Sequence, residues 1–147
     1  MTRRDVMLMM VGVVVIPVLG CTPQDPSIAF DLDTCEFCRM TISDRRHGAA
    51  AQTSGGRVAR FDSIECLARW VRATADAPSK IWVVDAMVPG TLVALEAAVI
   101  RRTARSPMAA RSGSGTSDGF VALARSRAPA ASDGESVPWD QVLREAE

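Results

Sequence analysis

The feature that most constrains what this chain can fold into is an apolar run near its start, Val6 to Leu19, led by Arg3 and Arg4 and closed by Val18-Leu19-Gly20-Cys21. A basic lead, a short apolar stretch and small residues before a cysteine form the pattern of an export signal over residues 1–20, cut before a cysteine that then carries lipid. The run is too short for a membrane span. Cys21 is therefore the expected lipidation site. The expected protein is anchored by lipid in the cell envelope and faces outside the cytoplasm, in the periplasm if the cell has an outer membrane. A retained helical anchor is the alternative reading. Of 147 residues, taking away 20 leaves 127 to fold, the length of one domain.

Charge excludes one large class of partner. The chain carries 17 basic and 17 acidic residues, and without Arg3, Arg4 and Asp5 the tally is 15 to 16. Holding nucleic acid by its phosphates needs a surplus of cations, so no nucleic-acid partner is expected. Arg outnumbers Lys sixteen to one, which reads as a compositional bias of the source.

An exported domain normally pairs its cysteines, yet with Cys21 lipidated an odd number remains: Cys35, Cys38 and Cys66. Cys35-Glu36-Phe37-Cys38 is a Cys-x-x-Cys, which serves zinc, redox or haem sites. Haem attachment needs His after the second Cys, and Arg39 stands there. A redox pair would open a helix after a buried strand, whereas residues 21–34 are rich in Pro and Asp and read as a flexible tether. A four-ligand zinc site would have to add both Cys66 and the lone His47. Met40 lies two residues past Cys38, and in an extended segment such residues face the same side, so both sulfurs address one ion. Thiolate with thioether is the set that selects monovalent copper. Core filling is the other reading of Met40. Cys66 reads as a small buried hydrophobe beside Trp70, His47 as an exposed imidazole, Met87 as packing, and Asp31, Asp33 and Asp44 as solvated.

Two short strands, Ala49 to Thr53 and Arg57 to Phe61, flank Ser54-Gly55-Gly56, a glycine pair of the kind that closes a hairpin. A helix follows. Asp62 and Glu65 make a capping box, Ile64, Leu67, Ala68 and Val71 make one apolar face, and Cys66, Trp70 and Ala73 a second, so two layers are expected to cover the helix. Ile81 to Val84 reads as a buried strand, and Thr91 to Ile100 as a strand passing into a short helix. Arg101 to Gly119 reads as exposed loop, Phe120 to Arg127 as a helix capped by Asp118, and Asp140 to Ala146 as a closing helix. The expected fold class is α+β, a small single domain over residues 35–147 built of two ββα-like halves.

Three stretches together carry a family likeness: Cys35-Glu36-Phe37-Cys38-Arg39-Met40-Thr41-Ile42-Ser43-Asp44, Phe61-Asp62-Ser63-Ile64-Glu65-Cys66-Leu67, and Ser106-Pro107-Met108. They resemble the NosL family, accessory lipoproteins of nitrous oxide reductase that carry Cu(I), and the likeness runs from about Thr34 to Trp139. It implies a copper chaperone with no enzymatic activity, serving denitrification. The implied partner is nitrous oxide reductase or its copper-assembly membrane complex, and the implied fold is akin to the organomercury lyase domain. Residue by residue, it implies Cys38 and Met40 as the core of the metal site, Cys35 as an additional cysteine, and Met108 as the methionine after proline. The sequence departs from the family pattern at Arg39, where Gly is usual, and after Met108, where Ser and Arg are dense. Two other functions stay open on the residues alone: a thiol enzyme for disulfide exchange or lysis, and a zinc-stabilised binding lipoprotein.

Overall fold

The computed structural model of the chain describes residues 26–103, 119–129 and 135–146. The expectations for the signal, for Cys21 and for Met108 lie outside them. Among the described residues no helix is long and apolar enough to cross a membrane.

The expected hairpin forms. β1 (Ala49–Gln52) pairs antiparallel with β2 (Val58–Phe61), Ala49 opposite Phe61 and Gln52 opposite Val58. Gly56 in the connecting turn has φ 85°, a conformation open to a residue without Cβ at no steric cost. On its other edge β1 pairs with β3 (Lys80–Val84), and β3 with β4 (Leu92–Ala94), giving the antiparallel order β2-β1-β3-β4. β1 is thus an inner strand, and its alanines Ala49, Ala50 and Ala51 are fully buried. Small side chains there leave room for larger neighbours such as Phe61, Ile64, Leu67 and Val83, all in the core.

Helix α1 (Ile64–Ala73) starts one residue later than the sequence suggested. Ser63 is the N-cap, and its side-chain oxygen accepts from the Cys66 N–H at 3.2 Å. The expected box of Asp62 and Glu65 does not close the helix, because Glu65 turns inward and its Oε1 accepts from the Phe120 N–H at 2.7 Å. Residues Ile64 to Ala68 are buried without interruption, as the two apolar faces require.

A single 3₁₀ turn (Leu95–Ala97) leads from β4 into β5 (Ala98–Thr103), which pairs antiparallel with β6 (Gly119–Ala124). This corrects two expectations. Phe120 to Ala124 is strand, not helix, because its backbone completes a ladder with β5, and a residue pairing across a sheet overrides weak helical propensity. Arg101 belongs to β5 and is buried, not part of an exposed loop. Helix α2 (Trp139–Glu145) closes the described chain and lies against α1, where Arg72 Nη1 donates to the Ala146 carbonyl at 2.7 Å. The two sheets are joined where the Ala86 N–H meets the Ala122 carbonyl (3.0 Å) and where Arg127 reaches the buried carboxylate of Asp85 (2.8 Å). The class is α+β, with two sheets and two helices among the described residues. The order ββα occurs twice, as β1-β2-α1 and β5-β6-α2, but β3 and β4 enlarge the first sheet and make the halves unequal.

The expected tether is corrected for its second half. Phe30 is 9% exposed within the core, and the Asp31 N–H donates to the Ile42 carbonyl, whose own N–H returns to the Asp33 carbonyl. Asp33 is bonded too, accepting from the Ala29 N–H and pairing with Arg60 at 3.1 Å. An aromatic side chain in this segment supplies the buried area that a free tether lacks.

Candidate metal centre

The arms that begin at Asp31 and end at Ile42 continue through a bridge between Thr34 and Thr41, so residues 35–40 form the tip of a tight hairpin. Within the tip the Cys35 N–H donates to the Met40 carbonyl at 2.8 Å and the Arg39 N–H to the Cys35 carbonyl at 3.0 Å. Arg39 has φ 61°, the left-handed region. Glu36 N–H donates to the Arg60 carbonyl (2.8 Å), which fastens the tip to β2 and so to the start of α1.

That placement brings Cys35, Cys38 and Cys66 together, with all three Sγ atoms within 4.8 Å of one another. Cys35 and Cys66 are fully buried, while Cys38 is half-buried. None of the three is joined to another by a disulfide. Three sulfurs around one ion at a bond length near 2.3 Å would stand about 4 Å apart, so the cluster needs little adjustment to close on a soft cation. Among the described residues no carboxylate or imidazole joins the group as a fourth ligand.

The electrostatics separate the two buried sulfurs. A hydrogen bond from the Cys66 thiol, with further bonds from the backbone N–H groups of Asp62, Cys38 and Phe37, lowers Cys35 to about 5 against the opposing effect of burial. Cys66 moves the other way, because its proton is held in the bond to Cys35 and a second buried thiolate beside the first is disfavoured. Its place in the first turn of α1, where helix N–H groups favour negative charge, does not reverse this. A cation bound between the sulfurs removes the repulsion and releases the proton.

Of the residues singled out from sequence, Cys35 and Cys38 stand in the cluster. Met40 is on the rim of the tip, 48% exposed, and contributes its carbonyl to the hairpin. The extended geometry expected to align it with Cys38 is absent, because left-handed Arg39 breaks the two-residue alternation. Cys66, read as a small hydrophobe, is buried as expected and is also the third sulfur of the cluster. Its signal was available: an odd cysteine in the first turn of a helix that follows a Cys-x-x-Cys. His47 is buried, not exposed, and its Nδ1 lies 3.1 Å from Asp44 Oδ2. Met87 is 61% exposed, not packed. Comparison of the chain with protein-family models, with curated proteins and with solved structures returned no match.

Proposed function

We propose that this protein is a carrier of Cu(I), held at Cys35, Cys38 and Cys66, that hands the ion to an acceptor protein. The observation that carries the reading is the graded exposure of a three-sulfur cluster: two sulfurs sealed in the core and one at the surface. Three soft donors without a hard fourth ligand suit a monovalent ion that is content with two or three sulfurs, whereas a structural zinc site needs a closed tetrahedron. Cys35 and Cys66 retain the ion, and an acceptor's ligand enters beside Cys38 before the carrier's bonds are given up. Transfer then passes through a shared intermediate and releases no free copper. The protein acts as a carrier and not as a thiol enzyme, since the one sulfur with an activated thiolate, Cys35, has no exposed surface for a substrate to reach. The likeness to the NosL family supports the same reading. It names nitrous oxide reductase, or the membrane complex that loads its copper centres, as the acceptor, with Met40 and Met108 as further candidates for ligands. It also supports a lipid anchor at Cys21, outside the cytoplasm.

The test is anaerobic titration with Cu(I) against a competing chelator, and separately with zinc, comparing the native protein with Cys38→Ser, Cys66→Ser, Met40→Ala and Met108→Ala. Loss of a direct ligand should weaken binding by more than the 10–100-fold typical of an outer-shell change. The carrier reading predicts that loss for both cysteine variants and a preference for copper over zinc. Copper affinity unchanged from the native protein in both cysteine variants, or tighter zinc, refutes it.

A further inference from the structure

Beside the cysteine cluster runs an open groove of about 610 Å³ lined by Phe37, Arg69, Arg72, Ala73 and Ala146. It is tied to the cluster on two sides. Phe37 sits between Cys35 and Cys38 in the hairpin tip. Arg69 and Ala73 lie three and seven residues beyond Cys66 on α1, the spacing that stacks side chains along one helix face. A segment lying in the groove is therefore led toward half-buried Cys38.

The groove is cationic, and among the described residues no acid lines it. The Nε of Arg69 is buried and makes no hydrogen bond, and among the described residues Arg69 pairs with no acid. Arg72 donates to the Ala146 carbonyl, a neutral group, and likewise pairs with no acid there. Four acidic side chains of the surrounding elements engage other partners: Glu145 with Arg102 (2.7 Å), Asp140 with Arg144 (2.8 Å), Glu36 with Arg57 (3.2 Å) and Glu65 with the Phe120 N–H (2.7 Å). Two neighbouring guanidinium groups at the groove, with no acidic partner among the described residues, make a place suited to carboxylates from outside. Phe37, 38% exposed, adds an apolar contact at the end nearest the sulfurs.

We infer that this groove docks an acidic segment of the protein that exchanges metal with the cluster, its carboxylates meeting Arg69 and Arg72 and an apolar side chain meeting Phe37. Recognition of acidic motifs by arginine clusters is a recurrent mode, and opposite charge at the rim raises the encounter rate. The occupant is a protein segment and not a lipid surface, because an acceptor must bring metal ligands of its own to Cys38. The inference rests on the carrier reading for the identity of the partner, and its test needs no metal.

The full-length, metal-free protein, kept reduced, is titrated in low salt with a synthetic peptide carrying four Glu residues around one Leu. Identical peptides with Gln or Lys in place of Glu serve as controls. Nuclear magnetic resonance follows the Arg69 and Arg72 side chains and the Phe37 backbone. The expected result is shifts at these three residues and at least tenfold tighter binding of the Glu peptide than of the Gln peptide, an advantage that falls as salt is raised. The double variant Arg69→Gln/Arg72→Gln should abolish the advantage, and Arg69→Lys/Arg72→Lys should restore part of it with the fold intact. Equal binding of the Glu and Gln peptides, or shifts confined to another face, overturns the docking site. So does saturation of the same resonances by anionic phospholipid vesicles at concentrations where the Glu peptide leaves them unmoved. Peptide binding by a protein that fails to hold Cu(I) refutes the carrier reading and leaves the groove standing.

Discussion

The Sγ atoms of Cys35 and Cys66 lie within 4.8 Å of each other and both residues are fully buried, so the hairpin tip and the first turn of α1 place two sulfurs where one proton can serve both. With Cys35 lowered and Cys66 raised, the metal-free pair favours a single negative charge at neutral pH.

This pair sets a pH dependence of folding for the metal-free protein. Cys35 is depressed in the folded state, so its contribution is complete above the ordinary thiol value and is lost as pH falls toward about 5. Cys66 is raised, so its contribution is complete below the ordinary thiol value and is lost as pH climbs past it. Stability from the pair therefore peaks near the ordinary thiol range, about 8.5. Urea unfolding under reducing conditions from pH 5 to 10 should show this maximum, and Cys66→Ala should remove the alkaline decline. An unchanged alkaline limb in the variant contradicts the shared proton.

Exposure divides the three thiols for a neutral alkylating reagent. Native, metal-free protein should be modified at Cys38 first, with Cys35 and Cys66 reacting only as fast as the fold opens, even though Cys35 is the thiolate. Added Cu(I) should slow the reaction at Cys38. Mass spectrometry of peptides at timed intervals reads the order, and early labelling of Cys66 would show that the cluster is open.

Arg39 holds a left-handed backbone at φ 61°, which disfavours a residue with Cβ. Arg39→Gly should stabilise the domain by about 0.5–1 kcal/mol, the steric relief being partly offset by the freedom glycine has in the unfolded chain. A fall in stability on denaturant unfolding would mean that the guanidinium does more than point to water.

Phe30 tests whether the segment before the cysteines is part of the fold. Its ring is in the core and lies 5.1 Å from the Arg45 guanidinium carbon, so Phe30→Ala should cost about 3 kcal/mol or somewhat more. A tether residue would cost close to nothing. Because the same segment feeds directly into Cys35, metal affinity should fall in this variant along with the melting temperature.

Legibility followed the range of the interaction. The β1-β2 hairpin and α1 could be read because each is announced by neighbours: a glycine pair between β-rich runs, and two apolar stripes at helical spacing. The capping residue was missed by one position, since the choice between Asp62 and Ser63 depends on Glu65, which bonds to Phe120, 55 residues away. β6 was misread for a similar reason. Phe120-Val121-Ala122-Leu123-Ala124 has no strong period, and only the ladder with β5 makes it a strand.

The candidate site shows the same division. The sequence by itself determined that Cys35 and Cys38 are separated by only two residues and that an odd sulfur is left over, because a spacer and a count need no third dimension. It also determined the α+β class and the first three elements, β1, β2 and α1, through local periodicity. Only the tertiary structure decided that Cys66 stands in a cluster with them. The reason is geometric: a left-handed residue at 39 turns the chain out of the extended form, while the bond from Glu36 to β2 carries the tip onto the first turn of α1.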